Sequence, residues 1–261
     1  MKRVQFFEIE DQSLCPAVIR DGITDYLQFT INAAQAYKPI ADRLANVIRS
    51  SATPNVIDLC SGGGGPWISL SRTLNESNTS VHVTLTDWQP NVAAFTRVTA
   101  LTKDAITFHS TPVDARRVPR ELRGTRTLFT SFHHFSPDDA RAFLRDAAQS
   151  GSTIAVFEAT QRSVVAVLVT LLSPLIVLLA TPTVRPFRWS RLFWTYLVPV
   201  IPLAVMFDGV VSCLRTYTPE ELIALTEGIE GSRWEAGEQR AKGPVPVTYL
   251  VGTPLPNNSL S

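Results

Sequence analysis

The chain has 261 residues, 45% of them hydrophobic and 18% charged, with a formal net charge of +1. This length suits one large domain or one domain with an insertion, and the near-neutral charge argues against a nucleic-acid partner. Its three cysteines (Cys15, Cys60 and Cys213) are far apart and lack metal-ligand or disulfide spacing, so we expect no metal site and a reducing, cytoplasmic location.

The first 52 residues are predicted to form a helical cap. Apolar residues recur at three- and four-residue spacing within residues 13–50. A second helix is predicted from about residue 39 to residue 49, because a proline stands at its first position and one face is apolar. Thr53-Pro54 ends this region.

Strand and helix patterns alternate from residue 53 to residue 159. The predicted strands are 56–59, 81–86, 106–108, 127–132 and 153–157, and the predicted helices are 67–74, 91–101 and 136–149. Such alternation favours a parallel sheet that is covered by helices on both faces. A further helix from Thr218-Pro219 and two strands, at 233–238 and 245–251, place residues 219–261 with the same core.

Residues 160–218 form an apolar insertion between these two parts of the core. The 22 residues between Arg162 and Arg185 carry no charge, and neither do the 16 residues between Arg191 and Asp208. Three interpretations stay open: a buried cap over the substrate, an element that lies on the membrane surface, and a hairpin that spans the membrane. A spanning hairpin would place three arginines on the far side, against the positive-inside tendency.

A run of four glycines, Gly62 to Gly65, joins the first predicted strand to the next helix, as in nucleotide-binding folds. A P-loop requires Lys and then Ser or Thr after its last glycine, whereas Pro66-Trp67 follows here. A dinucleotide fold requires a third glycine where this chain has Trp67, and a large indole there obstructs close packing of the helix on the strand.

The segment Asp-Leu-Cys-Ser-Gly-Gly-Gly at 58–64 resembles motif I of the class I S-adenosylmethionine-dependent methyltransferases, usually an acid followed by Gly-x-Gly-x-Gly. Asp58 matches the acid, Gly62 and Gly64 match the last two glycines, and Cys60 stands where the first glycine is usual. The resemblance covers residues 50–160 and the terminal strands. It implies an α/β Rossmann-like fold with seven mostly parallel strands, and S-adenosylmethionine as the cofactor. The cofactor residues that it implies in this turn are Asp58, Cys60, Ser61, Gly62, Gly63 and Gly64.

Acids follow the second and third predicted strands. Asp87 is placed to accept hydrogen bonds from both ribose hydroxyls, as acids at this position do in dinucleotide folds, and the resemblance implies the same task. Trp88 is placed to stack on the adenine. Asp114-Ala115 resembles the acidic loop of the family that accepts the adenine amino group.

Candidates for the chemistry stand at the carboxyl edge of the predicted sheet. His133 and His134 end the fourth predicted strand, where family members place residues near the methyl group, and histidine titrates near neutrality. Because successive strand residues point to opposite faces, we expect at most one of them to face the pocket. Glu158, at the end of the fifth strand, is a further proton acceptor. Tyr26 and Tyr37, in the helical cap, are predicted to lie over the cofactor and substrate.

These observations predict a methyltransferase that acts on a small, hydrophobic acceptor. Its expected location is the cytoplasm, with peripheral attachment to the inner membrane face as the alternative, and the sequence leaves its oligomeric state open. An NAD(P)-dependent oxidoreductase is the second interpretation, disfavoured by Trp67 and by the lack of the Tyr-x-x-x-Lys pair of short-chain enzymes. A non-catalytic, membrane-associated scaffold with a cofactor-type fold is the third.

Overall fold

The structure is a computed structural model that describes residues 1–51, 53–240 and 245–256. Its centre is a single sheet of seven strands. The strands are β1 Asn55–Asp58, β2 His82–Leu85, β3 Ile106–Phe108, β4 Thr125–Phe129, β5 Ile154–Glu158, β6 Ser232–Gln239 and β7 Val247–Pro254. The strand order is β3-β2-β1-β4-β5-β7-β6, and the predicted seven-stranded, mostly parallel sheet is confirmed.

The first five strands pair in parallel, and β7 is antiparallel to both of its neighbours. Every residue of β4 and β5 is buried. Continuous burial is typical of central parallel strands, because helices cover both faces of the sheet. The order reverses between β1 and β4, and in open α/β sheets ligands bind at the carboxyl ends of the strands near that reversal.

Helices lie on both faces of the sheet. They are α1 Ala17–Ala33, α2 Ala41–Ser50, α3 Trp67–Glu76, α4 Val92–Leu101, α5 Pro137–Gln149, α6 Val164–Leu171, α7 Ser173–Ala180, α8 Trp189–Leu192, α9 Val200–Arg215 and α10 Pro219–Thr226. One apolar cluster joins α2, α3 and α4 to the sheet, and a second joins α5 and α10 to the other face. Ser136 caps α5, and Thr218 forms a capping box with Glu221 at α10, which explains where both helices begin.

The predicted end of the fourth strand was wrong. β4 ends at Phe129, and Thr130 then adopts a left-handed conformation with φ +45°. Residues 132–134 form a turn of 3₁₀-helix, so His133 and His134 do not alternate as strand residues do. Their rings are neighbours instead, with centroids 4.4 Å apart.

The insertion is helical, and only its inner side is buried. Val177 of α7 and Ile201, Ala204 and Val205 of α9 pack against α1, where Gly22 allows the close approach of Ile201. Its outer side is exposed and apolar, so a wholly buried cap does not describe it. The exposed apolar residues of α6, of α7 and of the position between them are Val164, Val165, Leu168, Val169, Leu171, Leu172, Leu175, Ile176 and Leu179.

None of the helices in the described residues is by itself long and apolar enough to cross a membrane. Residues Trp189–Leu197 and Val200–Arg215 reach that length and composition only as a pair, which is bent by 78°.

The link between α7 and α9 carries three arginines, Arg185, Arg188 and Arg191, and two of them attach it to α1. The guanidinium of Arg191 is buried, donates to Asp25 of α1 at 2.8 Å and also bonds two backbone carbonyls of the link. Arg188 lies 3.2 Å from the same carboxylate. These two arginines therefore hold the link against α1, and Arg185 is the exposed one among the three link arginines. The predicted strand at 245–251 is observed as β7, while residues 257–261 lie outside the described part of the chain.

Candidate functional site

The turn after β1 has the backbone of a ligand-binding loop. Cys60, Gly62, Gly64 and Gly65 all have positive φ, at +56°, +52°, +101° and +54°. Cys60 thus adopts the left-handed conformation that explains why glycine is usual at its position. An added Cβ at Gly64 would lie 2.6 Å from Val98, whereas one at Gly62 would meet nothing within 4 Å. Gly62 therefore presents open space beside a strand-to-helix turn, as an incoming ligand requires.

Asp58 fixes the shape of this turn. Its carboxylate accepts hydrogen bonds from the hydroxyls of Ser61 and Thr127, each at 2.7 Å. Burial raises the pKa of Asp58 to about 6, and the carboxyl group is 1% exposed. Asp58 and Ser61 are therefore positioning residues beneath the turn. The other side of the turn is held by α1, because Asn32 bonds both the Gly65 carbonyl and the Ser69 N–H, at 2.9 and 2.8 Å.

Asp87 stands beside the open face of Gly62. One carboxylate oxygen accepts the Gly62 N–H at 2.8 Å and the other accepts the Gln89 N–H at 2.8 Å. Each oxygen keeps a second lone pair, which leaves two acceptors for a ligand diol. Trp88 is 61% exposed, so its indole face is free for stacking. Burial raises the pKa of Asp87 and that of the Cys60 thiol, which disfavours a reactive thiolate.

The loop after β3 runs next to Asp87, where Val113 donates its N–H to the Asp87 carbonyl at 2.9 Å. The Asp114 carboxylate is bonded by the Arg116 guanidinium, which also pairs with Asp139. The hydrogen bonds from Arg116 lower the pKa of Asp114. Ala115 is buried in the apolar cluster under the sheet. The structure thus brings Asp114 near Asp87 but directs its carboxylate to Arg116.

His133 and Glu158 form a buried pair at the ends of β4 and β5. The His133 Nδ1 lies 2.6 Å from Glu158, whose other oxygen accepts the N–H groups of Ser131 and Phe132 at 3.0 and 2.6 Å. Burial acts to raise the pKa of Glu158, but the imidazole and these N–H donors outweigh it and hold that pKa below its ordinary value. Glu158 therefore fixes the imidazole orientation as an ionised carboxylate.

His134 lies beside this pair and toward the cofactor turn. Its Nδ1 is 2.9 Å from Asp11. Burial acts to lower the pKa of His134, but the hydrogen bond with Asp11 and the charge of Glu8 outweigh it and raise the pKa to about 9. The charge of His134 in turn acts to lower the pKa of Asp87 beside the glycine turn.

An N-terminal segment, residues 3–12, covers the histidine turn and was missed by the sequence analysis. Glu8 is buried, with its carboxylate 3.1 Å from Arg215 of α9. Arg3 bonds the carbonyls of His133 and Phe135, and the N–H of Ile9 donates to Asp208 at 2.6 Å. Three adjacent acids at 8, 10 and 11 were a signal in the sequence, but only the fold places them beside the two histidines.

The two tyrosines do not lie together at this site. Tyr26 is buried between α1 and the insertion, and burial raises its pKa to about 12. Tyr37 is 1% exposed in the core beneath the sheet edge, where its hydroxyl pairs with Thr130 and its ring meets Phe129. The predicted position of Tyr37 over the substrate therefore disagrees with the structure, because Tyr37 precedes the 3₁₀ turn Lys38–Ile40 with its ring packed into the core.

Comparison with known proteins gives likeness in structure and none in sequence. No protein-family model and no curated protein matches the chain. The plantazolicin methyltransferase BpumL, solved in complex with SAH, is similar with TM-score 0.50 and 10% identity over 92% of this chain and 97% of that one. An O-methyltransferase family protein from Burkholderia thailandensis is similar with TM-score 0.48 and 16% identity, covering 87% of this chain.

The chain spans 59% of the length of the Burkholderia protein. The methyltransferase domain of bacterial CtHen1 is similar with TM-score 0.49 and 14% identity over 84% of this chain and 99% of that domain. Identities this low bear on the fold alone. The likeness to BpumL, together with the strand order and the antiparallel β7, leads to the conclusion that this chain has the class I methyltransferase fold.

Proposed function

We propose that the protein is an S-adenosylmethionine-dependent methyltransferase that acts on a small, hydrophobic acceptor. The observation that carries this proposal is the open face of Gly62 beside the Asp87 carboxylate, at the carboxyl ends of β1 and β2. The sheet is closed by the antiparallel hairpin of β6 and β7, which a plain dinucleotide-binding fold lacks. Trp67 fills the helix–strand contact by packing edge-on against Phe129, where a dinucleotide fold requires glycine.

The residues around the glycine turn fit the parts of the cofactor. The turn at Gly62 lets an extended ligand approach the backbone, whereas Gly63 packs against Thr24 and Gln28 of α1. The two free lone pairs of Asp87 match a ribose diol. The exposed indole of Trp88 offers a face for adenine. When bound, the cofactor supplies a methyl group activated on a sulfonium. The chain must hold the acceptor in line with that group, which is the main source of rate in such a displacement.

We propose His133 as the proton acceptor. Its Nδ1 pairs with the Glu158 carboxylate, and its Nε2 is the ring nitrogen without a hydrogen-bond partner among the described residues. An acceptor that carries a proton at neutral pH requires such a base. His134 is protonated at neutral pH, given its pKa of about 9, and instead contributes positive charge.

The exposed apolar surface supports a hydrophobic acceptor and a membrane-surface location. Leu179 and Trp189 are 81% and 78% exposed, and the outer faces of α6 and α7 continue this surface. A soluble monomer rarely exposes so many contiguous apolar side chains. Trp189 and Tyr196 at its border are residue types that favour the membrane interface. We infer that this face rests on the cytoplasmic lipid surface, from which an apolar acceptor reaches the site.

Isothermal titration calorimetry with S-adenosylmethionine, S-adenosylhomocysteine and NAD tests the cofactor. We expect the first two to bind and NAD not to bind. Asp87→Ala should weaken S-adenosylhomocysteine binding by at least about tenfold, since it removes charge-assisted hydrogen bonds worth about 1.5–3 kcal/mol each. Glu121→Ala, at an exposed loop position, is the matched control and should bind as the unchanged chain does.

Transfer of a labelled methyl group into a cell extract, followed by identification of the product, tests the reaction. Binding of NAD but not of S-adenosylmethionine in the calorimetry would support the oxidoreductase and overturn the proposal. Binding of S-adenosylmethionine without transfer to any acceptor would instead favour the non-catalytic scaffold.

A further inference from the structure

Three ligand-type side chains meet where the N-terminal segment covers the histidine turn. They are the carboxylate of Glu8 and the imidazoles of His133 and His134, with one atom of each within 4.8 Å of the others. Glu8 and His133 are both 1% exposed, so the meeting point is inside the protein. The two Nε2 atoms each lie 3.6 Å from an oxygen of Glu8.

This separation is too long for a hydrogen bond, which requires about 2.7–3.2 Å between nitrogen and oxygen. It is close to the distance between two ligands of one metal ion. With bonds of about 2.0–2.1 Å to nitrogen or oxygen, the edge of a tetrahedron of ligands is about 3.3 Å. Small side-chain movements therefore suffice to bring all three groups onto a common cation.

The hydrogen bonds behind the imidazoles direct them to the same point. His133 places its Nδ1 on Glu158 at 2.6 Å, and His134 places its Nδ1 on Asp11 at 2.9 Å. Histidines that bind metals almost always use one ring nitrogen for such a carboxylate and the other for the metal. The Nε2 of His133 is buried and has no hydrogen-bond partner among the described residues. A buried polar atom without a partner calls for a ligand.

The charges around the meeting point also favour a cation. The carboxylates of Glu8, Asp11 and Glu158 lie against the two imidazoles. Two guanidinium groups, Arg3 and Arg215, are close. Arg215 takes Oε1 of Glu8 at 3.1 Å, the oxygen that faces His133, and leaves Oε2, the oxygen 3.6 Å from His134, for a metal. One oxygen of Glu10 is buried without a partner among the described residues.

The geometry points to a binding site for one first-row divalent cation of the Zn²⁺ type, held by Glu8, His133 and His134. Two imidazoles and one carboxylate suit Zn²⁺, Fe²⁺, Mn²⁺ or Co²⁺ better than Mg²⁺, which prefers oxygen ligands. This site revises the expectation of no metal that the cysteine spacing gave.

Cation binding does not depend on the proposed methyl transfer, but its role there rests on that function. A bound cation would occupy the Nε2 lone pair of His133 and displace the proton of His134. His133 would then no longer be available to take a proton from the acceptor.

Cobalt binding to the full chain tests the site without an activity assay. Protein dialysed against EDTA and then freed of chelator is titrated with CoCl₂, and the visible d–d absorption of Co²⁺ is recorded. We expect one Co²⁺ per chain, displaced by Zn²⁺. Glu8→Gln and His134→Ala should each weaken binding at least about tenfold, and Glu158→Gln, which removes the ionised carboxylate behind His133, by about 10–100-fold.

The matched control removes the other two histidines, His82 and His109, which leaves both site histidines in place. This double alanine variant should bind Co²⁺ as the unchanged chain does. His134 is the more exposed of the two site histidines, so His134→Ala decides the outcome if the buried variants fail the check of folding by circular dichroism.

Absence of Co²⁺ uptake by the unchanged chain, or equal uptake by His134→Ala, would overturn the site. Titration of the EDTA-treated chain with S-adenosylhomocysteine keeps this result separate from the cofactor proposal. Cofactor binding without cobalt uptake refutes the metal site alone, and cobalt uptake without cofactor binding refutes the cofactor alone.

Discussion

Gly62→Ala should block cofactor binding, whereas Gly151→Ala should not. Both substitutions should lower the free energy of unfolding by a similar amount. The two glycines have similar left-handed backbones, with φ +52° and +64°. At both, an added Cβ meets nothing within 4 Å, so only backbone strain of about 1–2 kcal/mol is expected from either substitution. Gly62 lies in the glycine turn, whereas Gly151 follows α5 at the opposite end of the sheet.

Urea unfolding and calorimetry with S-adenosylhomocysteine measure the two effects separately. Both variants should lose about 1–2 kcal/mol of unfolding free energy. Gly62→Ala should also weaken ligand binding by more than about tenfold, or 1.4 kcal/mol, because its methyl group occupies ligand space. Gly151→Ala should leave the affinity unchanged. Equal affinities of the two variants would refute the assignment of the open face at Gly62 to the cofactor.

Three further predictions concern other parts of the molecule. Leu179→Glu should reduce co-sedimentation with anionic phospholipid vesicles by at least about tenfold, since a leucine buried in the lipid contributes about 1.5–3 kcal/mol of binding free energy. Leu101→Glu, at an exposed position of α4, should leave co-sedimentation unchanged, and equal loss in both variants would contradict a specific membrane face. Burial raises the pKa of Asp58 to about 6, so the protonated group stabilises the fold fully below its unfolded pKa near 3.8, and this contribution is lost as pH rises from there through 6. The stability of Asp58→Asn relative to the unchanged chain should therefore improve by about 2 kcal/mol from pH 4 to pH 7 in urea unfolding, and a constant difference would count against this. Tyr37→Phe should lower the free energy of unfolding by about 1 kcal/mol, because it removes the hydrogen bond with Thr130. The affinity for S-adenosylhomocysteine should stay unchanged, and a large loss would place Tyr37 at the cofactor site.

The periodic parts of the fold could be predicted from the sequence. The strands β1, β2, β3 and β5 and the helices α3, α4 and α5 follow from alternating apolar patterns and from caps such as Ser136. These signals are local, since a strand or helix that buries one face has apolar residues at the regular spacing of that element in its own sequence. The glycine turn was equally local, because positive φ at Gly62 and Gly64 is reflected in the residue type.

The histidine turn could not be predicted in the same way. The apolar pattern continues through Phe132, and Thr130 gives no sign that its φ is +45°, since β-branched residues rarely adopt that conformation. The contacts of His133 and His134 with Glu8, Asp11 and Arg215 join residues that are far apart in the chain. Only the packing of α9 and the N-terminal segment on the sheet brings them together.

The direction of a helical side chain was also beyond the sequence. Tyr26 lies in α1 and Tyr37 in the turn before residues 38–40, and an aromatic residue suits either the core or a ligand. The orientation of each helix is decided by contacts with the insertion and the sheet, including the close approach of Gly22 to Ile201. Both rings consequently point into apolar clusters.

The position of β7 between β5 and β6 has a consequence for the order of folding. As the chain is synthesised, β5 stays an unpaired sheet edge until all of the insertion and α10 have emerged, because β7 is its antiparallel partner. The apolar helices α6 and α7 are exposed during the same interval. An open edge and an apolar surface together promote aggregation, and pairing across so many residues is slow. We therefore expect the nascent chain to be prone to aggregation until β7 pairs with β5.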